Sequence, residues 1–362
     1  MKKLDYKLLF AVIIISLFGV LMIYSASSIW AEYKFNDSFR YLKLQLIFFI
    51  ISLVIMFIVT KIDYMYYYKK ANIILVICFL LLFLVLIPGL GVIRNGSRSW
   101  FNLGLISIQP SEFMKLALII FTSKYLSRNT KYINNIKIGI LPILSITLFS
   151  FIFIMLEPDL GTGFIILITT IGLLFISGVK LSFFYRIFIL GLIGLSSLII
   201  IAPYRLQRIV SFIDPFKDPL GTGFQAIQSM YAISPSGLFG RGLFNSIQKQ
   251  FYLPEPQTDF IFSIIVEELG ILGVFIVLGL FIFIIYRMIK ICLKTNDLYS
   301  KYLSFGIIFQ LSIQIILNLG VVTGLFPITG VTLPFLSYGG SSLLITFISI
   351  GIILNISKHN VE

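Results

Sequence analysis

The chain is poor in charge and nearly devoid of histidine. Only 12% of its 362 residues are Asp, Glu, Lys or Arg, about half the share of a soluble domain. With 58% apolar residues, that shortage excludes an ordinary soluble protein, a disordered chain, a collagen and a coiled coil. The one histidine, His359, stands three residues from the C-terminus, which leaves no material for His-centred triads or His-ligated metal sites. Cys78 and Cys292 lie in or beside separate apolar segments. They offer neither a disulfide framework nor a metal-ligand spacing. The charge that is present is lopsided, with a formal net of +13. In a chain dissolved in lipid such an excess belongs to cytoplasmic loops and need not mean nucleic-acid binding.

What fills the sequence is long apolar runs. About 20 such residues cross the hydrocarbon core as a helix. Ten runs qualify, at roughly 8–29, 42–60, 71–88, 110–126, 138–156, 162–178, 183–202, 259–286, 303–325 and 335–356. The expected fold class is therefore an all-α polytopic membrane protein, a single membrane domain over 1–362 with ten transmembrane helices. The first run is too long for a signal-peptide core, and nine more follow it. With the N-terminus inside, seventeen of the 28 Lys and Arg fall on the inner side and ten on the outer, while Lys115 lies within a span. This places both termini in the cytoplasm.

The inner loops are short and basic. The outer side carries three long segments, 89–110, 203–258 and 324–335. The middle one, between helices 7 and 8, is long enough to expect a function of its own. Within it Thr222 is expected to cap a helix from Gly223 to about Ile233, which either lies on the outer leaflet or packs on the bundle. Leu-Gly-Thr-Gly-Phe occurs at 160–164 and again at 220–224. Both copies are expected to mark a Gly turn followed by a Thr-capped helix start.

Ionisable side chains at membrane depth point to function. Pro110 suits a first helical turn, and Glu112 and Lys115 then share one face. Asp259 opens the eighth run, where Thr258 or Asp259 could cap the helix. Glu267 and Glu268 lie deeper, as buried anchors or functional acids, with Lys115 as a candidate partner. Carboxylates at the outer mouth beside positive charge are the equipment of a general base with leaving-group stabilisation. Charge alone leads to outer-leaflet chemistry or transport of anionic lipid.

Longer motifs say more. Asn318-Leu319-Gly320, Gly324-Leu325-Phe326-Pro327-Ile328-Thr329-Gly330 and Thr332-Leu333-Pro334-Phe335-Leu336-Ser337-Tyr338-Gly339-Gly340-Ser341-Ser342 follow one another. Before them stand Gln109-Pro110-Ser111-Glu112 with Lys115, then Glu157-Pro158-Asp159-Leu160-Gly161-Thr162. Leu253-Pro254-Glu255-Pro256-Gln257-Thr258-Asp259-Phe260-Ile261-Phe262 completes the set. In this order the sequence resembles the SEDS family (shape, elongation, division, sporulation) of bacterial cell-wall glycosyltransferases. Gln257, where the elongation branch tends to carry His, makes it most similar to the division and sporulation branch (FtsW, SpoVE).

The resemblance implies a peptidoglycan glycosyltransferase that polymerises lipid II at the outer face of the cytoplasmic membrane. Asp259 matches the family's proposed catalytic base, which deprotonates the acceptor 4-hydroxyl. Undecaprenyl pyrophosphate leaves, with inversion. Glu112, Lys115, Glu157 and Asp159 are expected at the substrate cavity. Arg98, which stands for an arginine that relatives place before Trp100, is expected there too, with Arg241, Ser337 and Gly339. A divalent cation, Mg or Mn, is the implied cofactor. The implied partners are lipid II, the growing glycan strand, a class B penicillin-binding protein (a transpeptidase) and other division proteins, with no nucleic acid. The rival readings are a lipid II flippase and a non-catalytic division scaffold.

Overall fold

A computed structural model describes residues 4–94, 96–102, 104, 107–201 and 210–359, without the side chains of 94 and 195–201. Lys2, Lys3, Arg205 and Arg208, counted above for orientation, lie outside the described residues. The described helices are α1 (Tyr6–Phe35), α2 (Arg40–Val59), α3 (Tyr64–Leu86), α4 (Pro110–Arg128), α5 (Leu141–Leu156), α6 (Leu160–Ile176), α7 (Leu181–Ile201), α8 (Phe224–Ile233), α9 (Ile261–Leu293), α10 (Leu298–Val322) and α11 (Gly340–His359). Seven apolar segments are long enough to cross a membrane: α1, α2, α3, α9, α10, α11, and α5 with the π-type turn that precedes it. The helix α4 is charged by Glu112, Lys115, Lys124 and Arg128, and α6 is short.

The scarce acids are placed at helix starts. Asp5, Asp63, Asp159 and Asp297 accept from the amides of Leu8, Met65, Thr162 and Ser300, so four helices open on an aspartate cap. Inside the bundle α4 touches α3, α5, α6, α10 and α11, while α1 packs on α2 and α9 and α11 packs on α2. From 181 to 194, α7 is exposed on nearly every side chain. Apolar exposure of that kind suits lipid rather than water.

The structure departs from the sequence expectations at several points. The all-α expectation misses a small antiparallel sheet, β1 (Gly91–Arg94), β2 (Ser97–Asn102) and β3 (Ser107–Ile108), in the order β1-β2-β3. Its strands are too short for a clear alternating pattern. Thr222 does not cap α8. Its amide and hydroxyl both donate to Asp218, at 2.7 and 3.0 Å, and Gly223 precedes the helix. The first Leu-Gly-Thr-Gly copy lies inside α6, capped by Asp159, so the two copies are not the same event. The helix α8 packs on the bundle: Ile227, Ser229 and Ala232 are buried, and the Ser229 hydroxyl donates to Val322 O at 2.8 Å.

Candidate functional site

Hydrogen bonds join motif residues from the start of α4, the segment before α9, α10 and the start of α11. Pro110 stands at the first position of α4, where its missing N–H costs nothing. One turn on, Lys115 Nζ lies 2.9 Å from Glu112 Oε1, and both side chains are buried. Lys115 is roughly 8 Å along the helix from its start. The ammonium also donates to Gln314 Oε1 on α10, at 3.2 Å. Gln314 Nε2 in turn donates to Thr332 O at 3.1 Å, and Thr332 Oγ1 meets Ser342 Oγ at 3.1 Å. The ammonium thus has two partners, Glu112 and Gln314, and Gln314 is itself held by Thr332, the kind of support a buried ion pair needs.

Asp259 sits one step outside α9. The cap position of that helix is Phe260, which makes no side-chain cap hydrogen bond, so neither Thr258 nor Asp259 occupies it. The backbone around Asp259 is clasped instead. Asn318 Nδ2 donates to Asp259 O at 2.8 Å and to Val331 O at 2.7 Å. Ser337 Oγ donates to Thr258 O at 2.6 Å, and Tyr338 N donates to Gln257 O at 2.8 Å. The half-buried carboxylate lies beside Gly330, whose φ is +74°. A Cβ there would stand 3.7 Å from Asp259 Oδ2. That is ordinary contact, so it is the left-handed backbone at 330 that calls for glycine.

One face of α10 serves both halves. Gln314 reaches the Lys115 pair, and Asn318, one turn away, holds the Asp259 backbone. Asp159 closes a third side. It accepts from Gln109 Nε2 at 3.1 Å and from Thr162 N at 3.0 Å. Burial raises its pKa; the Thr162 amide and hydroxyl oppose the rise, Glu112 adds to it and Lys115 opposes it. Ser341 Oγ links the start of α11 to this region through Ser107 O and Gln109 N, both at 3.0 Å. Two small cavities flank the pair, one among Lys115, Thr169, Thr170 and Gln310, the other among Glu112, Gln310, Gln314, Thr346 and Ser349. Each is about 10 Å³, close to the room one water needs.

Other expected site residues lie apart from this cluster. Glu157 is fully buried under the sheet, with Ser97 and Ser99 donating to its backbone oxygen. Burial pushes its carboxyl up to about 9, with Asp159 adding to the rise. Arg98 turns back to the end of α3 and donates to Leu86 O at 3.3 Å. Arg241 lies 3.5 Å from Glu267, away from Asp259's clasps. Gly339 leaves open space, with only Ser342 Cβ within 4 Å of an added Cβ. The structure corrects the partner expected for the deep acids. Lys115 is engaged by Glu112 and Gln314, while Glu268 pairs with Lys249 at 3.1 Å. Helix packing decided this: the main contacts of α4 are with α3, α5, α6, α10 and α11, while Lys249 comes from the loop folded against α9.

Gln314 and Lys249 were not expected here, and Asn318, Thr332 and Ser341 were read as motif residues without a role of their own. A signal existed for two of them, since Gln310, Gln314 and Asn318 form a polar stripe at four-residue spacing in an otherwise apolar run.

The family model described as "Cell cycle protein" (FtsW, RodA, SpoVE) matches residues 6–362. Among similar curated proteins, "Stage V sporulation protein E" of Bacillus subtilis is 50% identical over 361 residues, covering 99% of each chain. "Probable peptidoglycan glycosyltransferase FtsW" of Trichlorobacter lovleyi is 40% identical over 353 residues, covering 98% of this chain and 93% of its own. A solved structure described as "Structural coordination of polymerization and crosslinking by a peptidoglycan synthase complex" contains a chain with a TM-score of 0.80 and 31% identity, covering 99% of both.

Proposed function

The chain belongs to the FtsW, RodA and SpoVE family of cell cycle proteins, and from that premise we propose that it is a peptidoglycan glycosyltransferase acting in division or sporulation. It is a multi-pass membrane protein. We read ten crossings of the cytoplasmic membrane, taking α4, α6 and α7 as spans beside the seven longer segments, with α8 in the long extracytoplasmic loop. On this reading the clasped end of the bundle faces outward.

The substrate is lipid II, whose sugars sit at the outward end while the polyprenyl tail stays in lipid. Asp259 accepts the proton of the acceptor sugar's 4-hydroxyl as that oxygen attacks C1 of the donor. The C1–O bond to pyrophosphate breaks, the undecaprenyl pyrophosphate leaves with the electron pair, and the configuration at C1 inverts. A positioned base of this kind supplies about 10²- to 10⁴-fold. Lys115, held by Glu112 and Gln314, balances charge near the leaving group. The observation that carries this reading is that the backbone of Asp259 is fixed by Asn318 while its half-buried carboxylate lies beside Gly330.

The implied Mg or Mn ion finds no preformed cage. Among the described residues no three His, Cys, Asp or Glu side chains converge as a metal-ligating set. Such an ion would be held by one or two carboxylates together with water and the substrate's pyrophosphate, and no step is assigned to it. A class B penicillin-binding protein is the proposed partner, because a polymerase of uncrosslinked strands needs a transpeptidase beside it; other division proteins complete the assembly. A flippase is disfavoured because Glu267 and Glu268, the deep acids it would use, are tied to a loop through Ser246 and Ile247.

The test is polymerisation of labelled lipid II by the purified chain, with and without the transpeptidase. Glycan polymer is expected from wild type, and a loss of 10²-fold or more from Asp259→Ala at equal folded yield. Polymer from Asp259→Ala at the wild-type rate would remove the mechanism.

A further inference from the structure

Glu267 and Glu268 take no part in the chemistry above, yet both are buried. By helical rise they lie about 9–11 Å beyond the start of α9. Unpaired charge at that depth is costly, so the groups that neutralise it must be built in. Glu268 accepts from Ser25 Oγ of α1 at 2.6 and 2.7 Å and from Lys249 Nζ at 3.1 Å. Lys249, only 4% exposed in its side chain, also donates to Phe244 O at 2.6 Å and to Ser25 Oγ at 3.3 Å. Glu267 accepts from Ser246 Oγ at 2.5 Å and from the amides of Ile247 and Gln248 at 2.8 and 3.3 Å.

The helix α9 opens to admit this loop. Gly270 leaves helical geometry at φ 64° and ψ −154°, a region essentially confined to glycine. The backbone groups freed by the break are taken up by the loop. Arg241 N donates to Glu267 O and Gly242 N to Glu268 O, both at 2.9 Å, while Ile271 N donates to Gly237 O at 3.0 Å. A Cβ on Gly240 or on Gly270 would stand 2.4 Å from the backbone of the opposite segment. Side-chain links between 246–249 and 267–268 therefore close residues 246–268 into a ring. Asp259 lies on its far arc, where Asn318, Ser337 and Tyr338 clasp it from α10 and the start of α11.

We infer that the buried Lys249–Glu268–Ser25 cluster is a positioning device for Asp259, fixing the near side of the ring against α1 while the clasps fix its far side. The inference rests on Asp259 being the base. Lys249 is the link that can be removed without touching any clasp. Removing it alone strands the Glu268 carboxylate, so the test variant neutralises both partners, Lys249→Met with Glu268→Gln. The amide still meets Ser25 Oγ, the partner of both Glu268 oxygens.

Three measurements decide it. In protein with Cys78→Ala and Cys292→Ala, spin labels on cysteines replacing the exposed Glu255 and Thr323 give a distance distribution that needs no turnover. The double variant should broaden this distribution. Its turnover on lipid II should fall at least tenfold with KM within twofold, while its thermal midpoint stays within a few degrees of wild type. An unchanged distribution with full turnover would refute the positioning role, and so would lost turnover with an unchanged distribution. Should wild type make no polymer, the glycosyltransferase reading fails, but the spin-label result still decides whether the cluster sets the ring's position.

Discussion

Removing one charge from the Glu112–Lys115 pair should be far worse than removing both. The two side chains are 9% and 2% exposed, and their charged atoms are 2.9 Å apart. In Lys115→Met the Glu112 carboxylate loses its counter-ion and Gln314 Oε1 loses its 3.2 Å donor. A buried pair broken from one side costs about 3–5 kcal/mol, which is about two to three and a half orders of magnitude in the folding equilibrium. Glu112→Gln with Lys115→Met removes the desolvation cost along with the attraction, so its net change should be within about 1 kcal/mol of wild type. Unfolding by SDS in mixed micelles, followed by tryptophan fluorescence, measures both variants. The double variant should remain folded yet lose polymerisation, because the site then lacks its positive charge. A single variant within 1 kcal/mol of wild type, or a double variant no more stable than the single, would refute this account of the pair.

Glu157→Gln should stabilise the protein at neutral and alkaline pH. The folded carboxyl is raised from 4.5 to about 9, so the folded state holds a proton that the unfolded state releases. Wild type is unpenalised below pH 4.5, loses stability as pH rises through this window, and at pH 7 is worse by about 3 kcal/mol on this account. Thermal midpoints should diverge with rising pH, and parallel curves for the two proteins would contradict it. Gly270→Ala should cost at least about 1–3 kcal/mol from backbone strain alone, read as a lower midpoint or lost folded yield; a neutral effect would mean the loop and helix can part freely. A cysteine replacing Leu220, which is 89% exposed, should react with an impermeant maleimide from outside intact cells; labelling only after lysis would reverse the orientation.

The sequence alone determined the apolar runs, the shared face of Glu112 and Lys115, and the Glu157–Asp159 break between α5 and α6. Each depends on residues close along the chain, where helical rise and the cost of charge in lipid suffice. Helix ends were less legible: α3 begins at Tyr64, where Asp63 caps it, and α11 at Gly340, after Ser337 and Tyr338 are drawn into contacts with residues 257–258. Contacts between distant residues were left to the tertiary structure. Gln314 and Asn318 read as a polar stripe, but nothing local says that one meets Lys115 and the other the Asp259 backbone. Lys249 looks like one more loop cation until a helix broken at Gly270 brings it to Glu268. A buried charge announces that it needs a partner, and only the packing of helices far apart in the chain decides which one it receives.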